Sequence, residues 1–261
     1  MKLHNQGDIR YVTGDSLNSD KVTHAFFMRY GGISPYPYNS LNFGSTVGDE
    51  PINVTENKQR AFRSLGLNYG MVYDVWQVHS TTVVVASGPR LPGIPHEKAD
   101  IILTDHSDVV LLMRFADCVP MLFYDQYRRV IGIAHAGWQG TLKGVAKEAV
   151  QALREKFKSN PEDLIVVIGP SIGPDHYQIG ADVAGKVVDA FGDNASRVLQ
   201  HDYGFVYLNL WLANRIQLEE TGVSQIESMD ICTACHVDDW YSHRAQHGKT
   251  GRFGALIALK E

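Results

Sequence analysis

Between residues 72 and 134 the chain carries six short apolar runs of strand length, at 72–79, 81–86, 100–103, 109–115, 119–124 and 129–134. Such runs, bounded by polar and turn-forming residues, read as strands. A segment so crowded with strands leaves little choice of fold, because each strand must pair and bury its side chains. Helical patterns flank it. Residues 51–66 suit a helix that starts at Pro51, with Val54, Ala61, Phe62 and Leu65 near helical spacing. Residues 141–157 place Leu142, Val145, Ala146, Ala149, Val150, Leu153 and Phe157 on one face. The combination predicts a mixed α/β fold.

The remaining segments fit that scheme. Strands are predicted at 22–28, 164–168 and 253–259, with a turn at 125–128. Asp182 is read as the cap of a helix carrying Val183, Val187, Val188 and Phe191. Another helix is predicted at 209–220, stopped near Gly222. No internal repeat, low-complexity tract or linker interrupts the chain, so residues 1–261 read as a single domain.

Composition narrows the function. Of 261 residues, 44% are hydrophobic and 20% charged, enough apolar content to bury a sizeable core. A net charge of −5 argues against a broad nucleic-acid-binding face and leaves room for a local basic pocket. The first residues lack the apolar stretch of a signal peptide, and no run approaches membrane-span length. Three cysteines, Cys118, Cys232 and Cys235, do not make a disulfide framework. The expected compartment is the cytoplasm, with no membrane and no nucleic-acid polymer as partner.

His79, Cys118 and His135 lie at or beside the ends of the strand runs, in Trp76-Gln77-Val78-His79, Ala116-Asp117-Cys118-Val119-Pro120 and Ala134-His135-Ala136-Gly137-Trp138. Two imidazoles and a thiolate are good zinc ligands, and three protein ligands leave an open fourth position. Taken singly, a cysteine between strands is usually a small core residue and a histidine usually a satisfied polar group. A second reading makes Cys118 a nucleophile with a histidine base, and spacing does not separate the two. Asp117 is a candidate catalytic base or ligand-orienting group. Arg29, Arg244 and Arg252 stand in glycine- or hydroxyl-rich loops and are candidate phosphate ligands. The N–H groups from Gly137 to a helix starting near Thr141 are candidates for the same anion. Trp76, Trp138, Phe43 and Tyr177 offer rings for stacking, with core packing as the ordinary alternative.

These segments also carry a family likeness. The chain resembles the YfiH family, also called the laccase-domain or multicopper polyphenol oxidase family. The matching segments include Arg29-Tyr30-Gly31-Gly32-Ile33-Ser34, Leu41-Asn42-Phe43-Gly44, Gln77-Val78-His79, Ala99-Asp100, Ala116-Asp117-Cys118-Val119-Pro120, His135-Ala136-Gly137-Trp138, Cys232-Thr233, Tyr241-Ser242-His243-Arg244 and Thr250-Gly251-Arg252. The resemblance implies a layered sandwich of mixed β-sheets flanked by helices. It implies one zinc held by His79, Cys118 and His135. It further implies phosphorolysis of adenosine, inosine and methylthioadenosine, and deamination of adenosine, with purine nucleosides and phosphate as the small-molecule partners. Arg29, Asn42, Gly137, Arg244 and Arg252 are then the expected substrate and phosphate residues, in a monomer or homodimer.

The chain departs from the family pattern in two places. Its Ser-His-Arg-Arg-Asp-Gly segment reads Ser242-His243-Arg244-Ala245-Gln246-His247-Gly248 here, and Gln139 stands where many relatives have arginine. Other labels attached to the family give competing readings: a copper polyphenol oxidase, in which copper takes the same three ligands, and a cysteine hydrolase or peptidoglycan-editing factor using Cys118. A multicopper cluster would need paired histidine motifs, and the chain has no His-x-His. Cys232-Thr233-Ala234-Cys235-His236 matches the haem motif C-x-x-C-H without an export signal. As a structural zinc site it lacks an evident fourth ligand. A binding module with a vestigial site is the non-enzymatic reading.

Overall fold

The strand runs pair into sheets whose order is not the order of the chain. A computed structural model describes residues 1–17 and 20–260. The elements run β1 (Lys2–Gln6), β2 (Ile9–Thr13), β3 (Val22–Phe27), α1 (Pro51–Ser64), β4 (Val72–Asp74), β5 (Val83–Val85), β6 (Ile101–Thr104), β7 (Val110–Phe115), β8 (Val119–Asp125) and β9 (Val130–Ala136). There follow α2 (Trp138–Leu142), α3 (Val145–Phe157), β10 (Leu164–Ile168), β11 (Gln178–Ile179), α4 (Ala181–Phe191), α5 (Ala195–Val198), β12 (Leu199–Asp202), β13 (Phe205–Leu208), α6 (Leu210–Glu220), β14 (Gln225–Ser228) and β15 (Phe253–Leu259).

One six-stranded sheet has the order β1-β2-β3-β15-β7-β4, and a second has the order β14-β10-β8-β9-β6-β5. A smaller sheet has the order β11-β13-β12. The two large sheets stack face to face. Phe26, Leu111, Met113, Phe253 and Ile257 of the first meet Ile102, Leu122, Ile131, Ile133 and Val167 of the second. The outer face of the first sheet is covered by Ala61 and Phe62 of α1, which pack with Phe27, Val110, Leu112 and Leu256. The outer face of the second packs Val119, Met121 and Phe123 against Val145, Ala149 and Leu153 of α3 and Ala213 and Ile216 of α6. The result is a four-layer α/β/β/α sandwich. It explains why β8 and β9 are buried along their whole length: successive side chains enter different cores.

Several boundaries differ from expectation. The run at 72–79 forms a strand only to Asp74. Beyond it, the Gln77 side chain accepts from Arg114 N–H (3.0 Å) and donates to Arg114 C=O (2.8 Å), so an amide side chain replaces the backbone ladder. The helix expected at 141–157 is two helices, because Gly144 adopts φ +83 between α2 and α3. Gly180, not Asp182, is the N-cap of α4; Asp182 lies in its first turn, where a negative charge still favours the helix end. The polar edge strands β1, β12 and β14 escape a periodicity reading because each pairs with a single neighbour and is mostly open to solvent or only partly covered. Among the described residues no helix is long and apolar enough to cross a membrane.

Candidate metal centre

Register brings the candidate ligands to one rim of the second sheet. In the β8–β9 hairpin Val119 pairs with Ala136 and Pro120 with His135, which sets Cys118 opposite the Gly137 end. In the β6–β9 pair Ile101 faces Ala134, so Asp100 stands beside His135, whose N–H donates to Asp100 C=O at 2.9 Å. His79 comes from the loop before β5, whose Val83 pairs with Ile101 at the same rim. Gln77, zipped onto Arg114, and Lys143, whose Nζ donates to His79 C=O at 2.9 Å, hold that loop in place.

His79, Cys118 and His135 form a group whose donor atoms all lie within 4.8 Å of one another. Cys118 Sγ is 3.8 Å from His79 Nε2, and the two imidazole rings meet edge to face at 4.9 Å. An S–N edge of a zinc tetrahedron built from ordinary bond lengths is about 3.5 Å. The space they enclose depends on Gly137. A Cβ there would stand 2.7 Å from His79 Cδ2 and 2.9 Å from Cys118 Sγ. His79 (φ +58) and Asp117 (φ +82) both occupy the left-handed region, uncommon for residues with a side chain. The backbone is bent at both points to aim the donors inward.

Asp100, fully buried, organises the group. Its Oδ1 lies 2.8 Å from His135 Nδ1. Its Oδ2 accepts from the N–H groups of Val78 and Ser80 and from Ser80 Oγ. Burial pushes the Asp100 carboxyl up, but His135 and Ser80 outweigh it and hold it near about 2. With Nδ1 taken, His135 presents Nε2 to Cys118. Burial also disfavours charge on Cys118 and on His135, and their mutual attraction overrides it. The thiol is brought down to about 6 by His135 and His79, and His135 is raised to about 9 by Cys118 and Asp100. Both shifts run in the direction that favours a thiolate beside an imidazolium, the charge pairing that a bound cation would replace.

The other expected site residues divide into two sets. Arg29 is buried, donates from Nε to Asn39 C=O and from Nη1 to Val237 C=O, and stacks on Tyr241. Asn42 is wholly buried and ties Gly44, Asp49 and Arg252 N–H together. Both serve the loops they stand in. Asp117 likewise has both oxygens engaged: Oδ1 accepts from Thr233 Oγ1 (2.8 Å) and Oδ2 from Arg244 N–H (2.6 Å). Phe43 is buried in the core and offers no face for stacking.

Arg244 and Arg252 stand beside the centre. Arg244 is exposed, lies over the Tyr177 ring at 5.1 Å and donates from Nη1 to Gln178 C=O. Arg252 Nη1 donates to Thr250 and Gly251 C=O. Burial lowers its pKa, opposed by the charges of Cys118 and Asp117. Tyr177 is shifted up by burial and next by Cys118, which places it along the same wall. Gln246 answers one departure from the family pattern. Its Oε1 accepts from Ser242 N–H and Thr250 Oγ1, so a neutral acceptor organises the loop that carries Arg244. Asp100 is the residue whose role the sequence concealed, and the Ala99-Asp100 segment was its only signal.

The family model for multi-copper polyphenol oxidoreductase laccase matches residues 23–260, and the chain belongs to that family. It is 34% identical over 254 residues to the purine nucleoside phosphorylase YlmD of Bacillus subtilis (strain 168), covering 94% of this chain and 91% of that protein. It is 33% identical over 234 residues to the purine nucleoside phosphorylase YfiH of Escherichia coli (strain K12), covering 88% and 91%. The crystal structure of YlmD from Geobacillus stearothermophilus matches with a TM-score of 0.92 at 29% identity, covering 99% of this chain and 98% of that one.

Proposed function

We propose that the chain is a zinc-dependent purine nucleoside phosphorylase acting on adenosine, inosine and methylthioadenosine, and that it also deaminates adenosine. The convergence of His79, Cys118 and His135 beside Arg244 and Arg252 carries the reading. The names of the relatives support the substrate class. The donor set fits zinc: two nitrogens, one sulfur, a carboxylate behind one histidine, and a glycine where a Cβ would fill the space. Zinc held by that set would supply Lewis acidity to the substrate.

Phosphorolysis forms a bond from a phosphate oxygen to the ribose C1′ and breaks the C1′–N9 bond. The base leaves with the bonding pair and takes up a proton. Arg244 and Arg252 provide fixed positive charge for the phosphate, and backbone carbonyls set the plane of each guanidinium. Asp117 acts as a positioning residue, because its two oxygens hold Thr233 and the Arg244 backbone. In deamination a water oxygen bonds to C6, the C6–N6 bond breaks, and the amine leaves as ammonia with a proton from that water; the same partly buried centre would serve both reactions.

The lowering of the Cys118 thiol by His135 and His79, despite burial, also suits a nucleophile. The copper oxidase reading fares worse. The two metal-capable groups of the described residues contain three histidines, His79, His135 and His176, too few for a multicopper cluster. The test is turnover: zinc-loaded protein with inosine or adenosine and phosphate should release base, and adenosine should yield ammonia. Absence of turnover, or a Cys118→Ala variant as active as the parent, rejects the proposal. If metal-free protein is the active form and alkylation of Cys118 abolishes its activity, the nucleophile reading replaces it.

A further inference from the structure

The loop after β10 and the loop after β14 are zipped together. Ser171 and Cys232 form a parallel bridge, Ser171 N–H donates to Ile231 C=O, and Thr233 N–H donates to Ser171 C=O. Where the loops meet, Asp175, His176, Cys232 and Cys235 bring their donor atoms within 4.8 Å of one another. None of the four belongs to the centre described above.

Their separations are those of a metal polyhedron. Cys235 Sγ lies 3.5 Å from His176 Nδ1 and 3.7 Å from Asp175 Oδ2. Cys232 Sγ lies 3.8 Å from His176 Nδ1, and His176 Nδ1 lies 3.1 Å from Asp175 Oδ2. A tetrahedral zinc with ordinary bond lengths sets S–N and S–O edges near ~3.5 Å and the N–O edge near ~3.3 Å. The four distances follow that pattern, the mixed sulfur edges long and the N–O edge short.

The backbone around the cluster fixes the direction of Cys232. Buried Cys232 Sγ accepts the N–H groups of Gly173 (3.2 Å) and Cys235 (3.4 Å), which hold the sulfur in place toward the cluster. A Cβ on Gly173 would stand 2.7 Å from Asp175 Oδ1, 3.0 Å from Cys232 Cβ and 3.1 Å from Cys232 Sγ, so glycine lets the turn approach the cluster closely. All three cysteines are free, so no disulfide competes for the sulfurs. Two sulfurs, one imidazole and one carboxylate favour zinc over magnesium or calcium.

We propose that Cys232, Cys235, His176 and Asp175 hold a second, structural zinc ion. The partners that the Cys-x-x-Cys pair lacks in its own segment come from the other loop, and His236 takes no part. The ion ties together the two loops that wall the first centre: Thr233, between the two cysteines, holds Asp117, and Tyr177, next to His176, carries the Arg244 guanidinium. It therefore acts on the first centre through position alone.

The test is metal content per chain on protein purified without chelators, followed by cobalt substitution. Wild-type protein should carry two zinc ions, Cys235→Ala one, Asp175→Asn a second ion of weakened affinity, and Cys118→Ala one. In the cobalt form, thiolate-to-cobalt absorption should fall by roughly one third in Cys118→Ala, which keeps two of three thiolate ligands, and by more in Cys235→Ala. Hydrogen exchange at 171–178 and 230–236 should rise in Cys235→Ala. The proposal is overturned if wild-type protein binds one ion that Cys118→Ala abolishes and Cys235→Ala retains. It is equally overturned if Cys232 and Cys235 are isolated as a disulfide in protein whose metal content Cys235→Ala leaves unchanged. A missing first-site metal shows up as insensitivity to Cys118→Ala, so the two sites fail independently.

Discussion

One carboxylate, Asp100, orients both histidines of the centre: it meets His135 directly through Oδ1, and its Oδ2 grips the N–H groups on either side of His79. Asp100→Asn keeps the size and loses the charge. Metal affinity should fall about 10- to 100-fold, the usual effect of losing a supporting carboxylate. Competition with a chromogenic chelator measures it. An unchanged affinity would show that His135 needs no such support.

Gly137 leaves room for the donors only because it has no side chain. In Gly137→Ala the added methyl must displace His79 or Cys118, since both lie under 3 Å from it. Displacements near 1 Å cost about 100-fold in rate at well-aligned sites. Turnover should fall by that order while circular dichroism and the melting midpoint stay near wild type. Full activity with normal metal content would mean that the backbone yields instead.

Arg244 and Arg252 are expected to act on phosphate. A charged hydrogen bond is worth about 1.5–3 kcal/mol, or roughly 10- to 100-fold. Arg252→Ala and Arg244→Ala should each raise the KM for phosphate by that factor, with a smaller change in the KM for inosine. Arg29→Ala, which opens the loop contact with Asn39 and Tyr241, should lower stability instead. Equal effects on both substrates would point to general loss of the loop.

Asp74 is buried among Lys58, Arg90 and Arg114, with His96 at 3.1 Å. Asp74→Ala strands those cations, and breaking a buried pair in this way costs about 3–5 kcal/mol. Urea denaturation should show the midpoint falling accordingly. Because Arg114 Nε also donates to Gln77 Oε1 at 3.3 Å, the His79 loop should loosen as well.

His24 gives stability a pH dependence remote from the metal centre. Burial lowers its pKa to about 4, and its Nε2 accepts the N–H of Gly14. Above pH 6.5 it is neutral in both folded and unfolded chains, so the contribution is fully present. Between 6.5 and 4 the unfolded chain takes up the proton first, and stability falls as pH drops. A displacement of that size is worth about 3 kcal/mol. His24→Gln keeps an acceptor without titrating, so the wild-type and variant curves should converge above pH 6.5 and separate below it.

The apolar runs alone determined that the middle of this chain is strand-rich, and the helical stripes flanking it supplied the covers. That much is local, since side-chain periodicity follows from backbone geometry. His79, Cys118 and His135 were also visible, because their segments are unusual, but their spacing left a zinc centre and a nucleophile equally open. Only the tertiary structure set Asp100 behind His135, engaged both oxygens of Asp117, and committed Arg29 and Asn42 to loop contacts. It likewise supplied the Cys232–Cys235 pair with His176 and Asp175 from another loop. The physical reason is strand register. Pairing β9 with both β6 and β8 brings residues far apart in sequence to one rim at hydrogen-bond distance, and no local propensity encodes which rim they share.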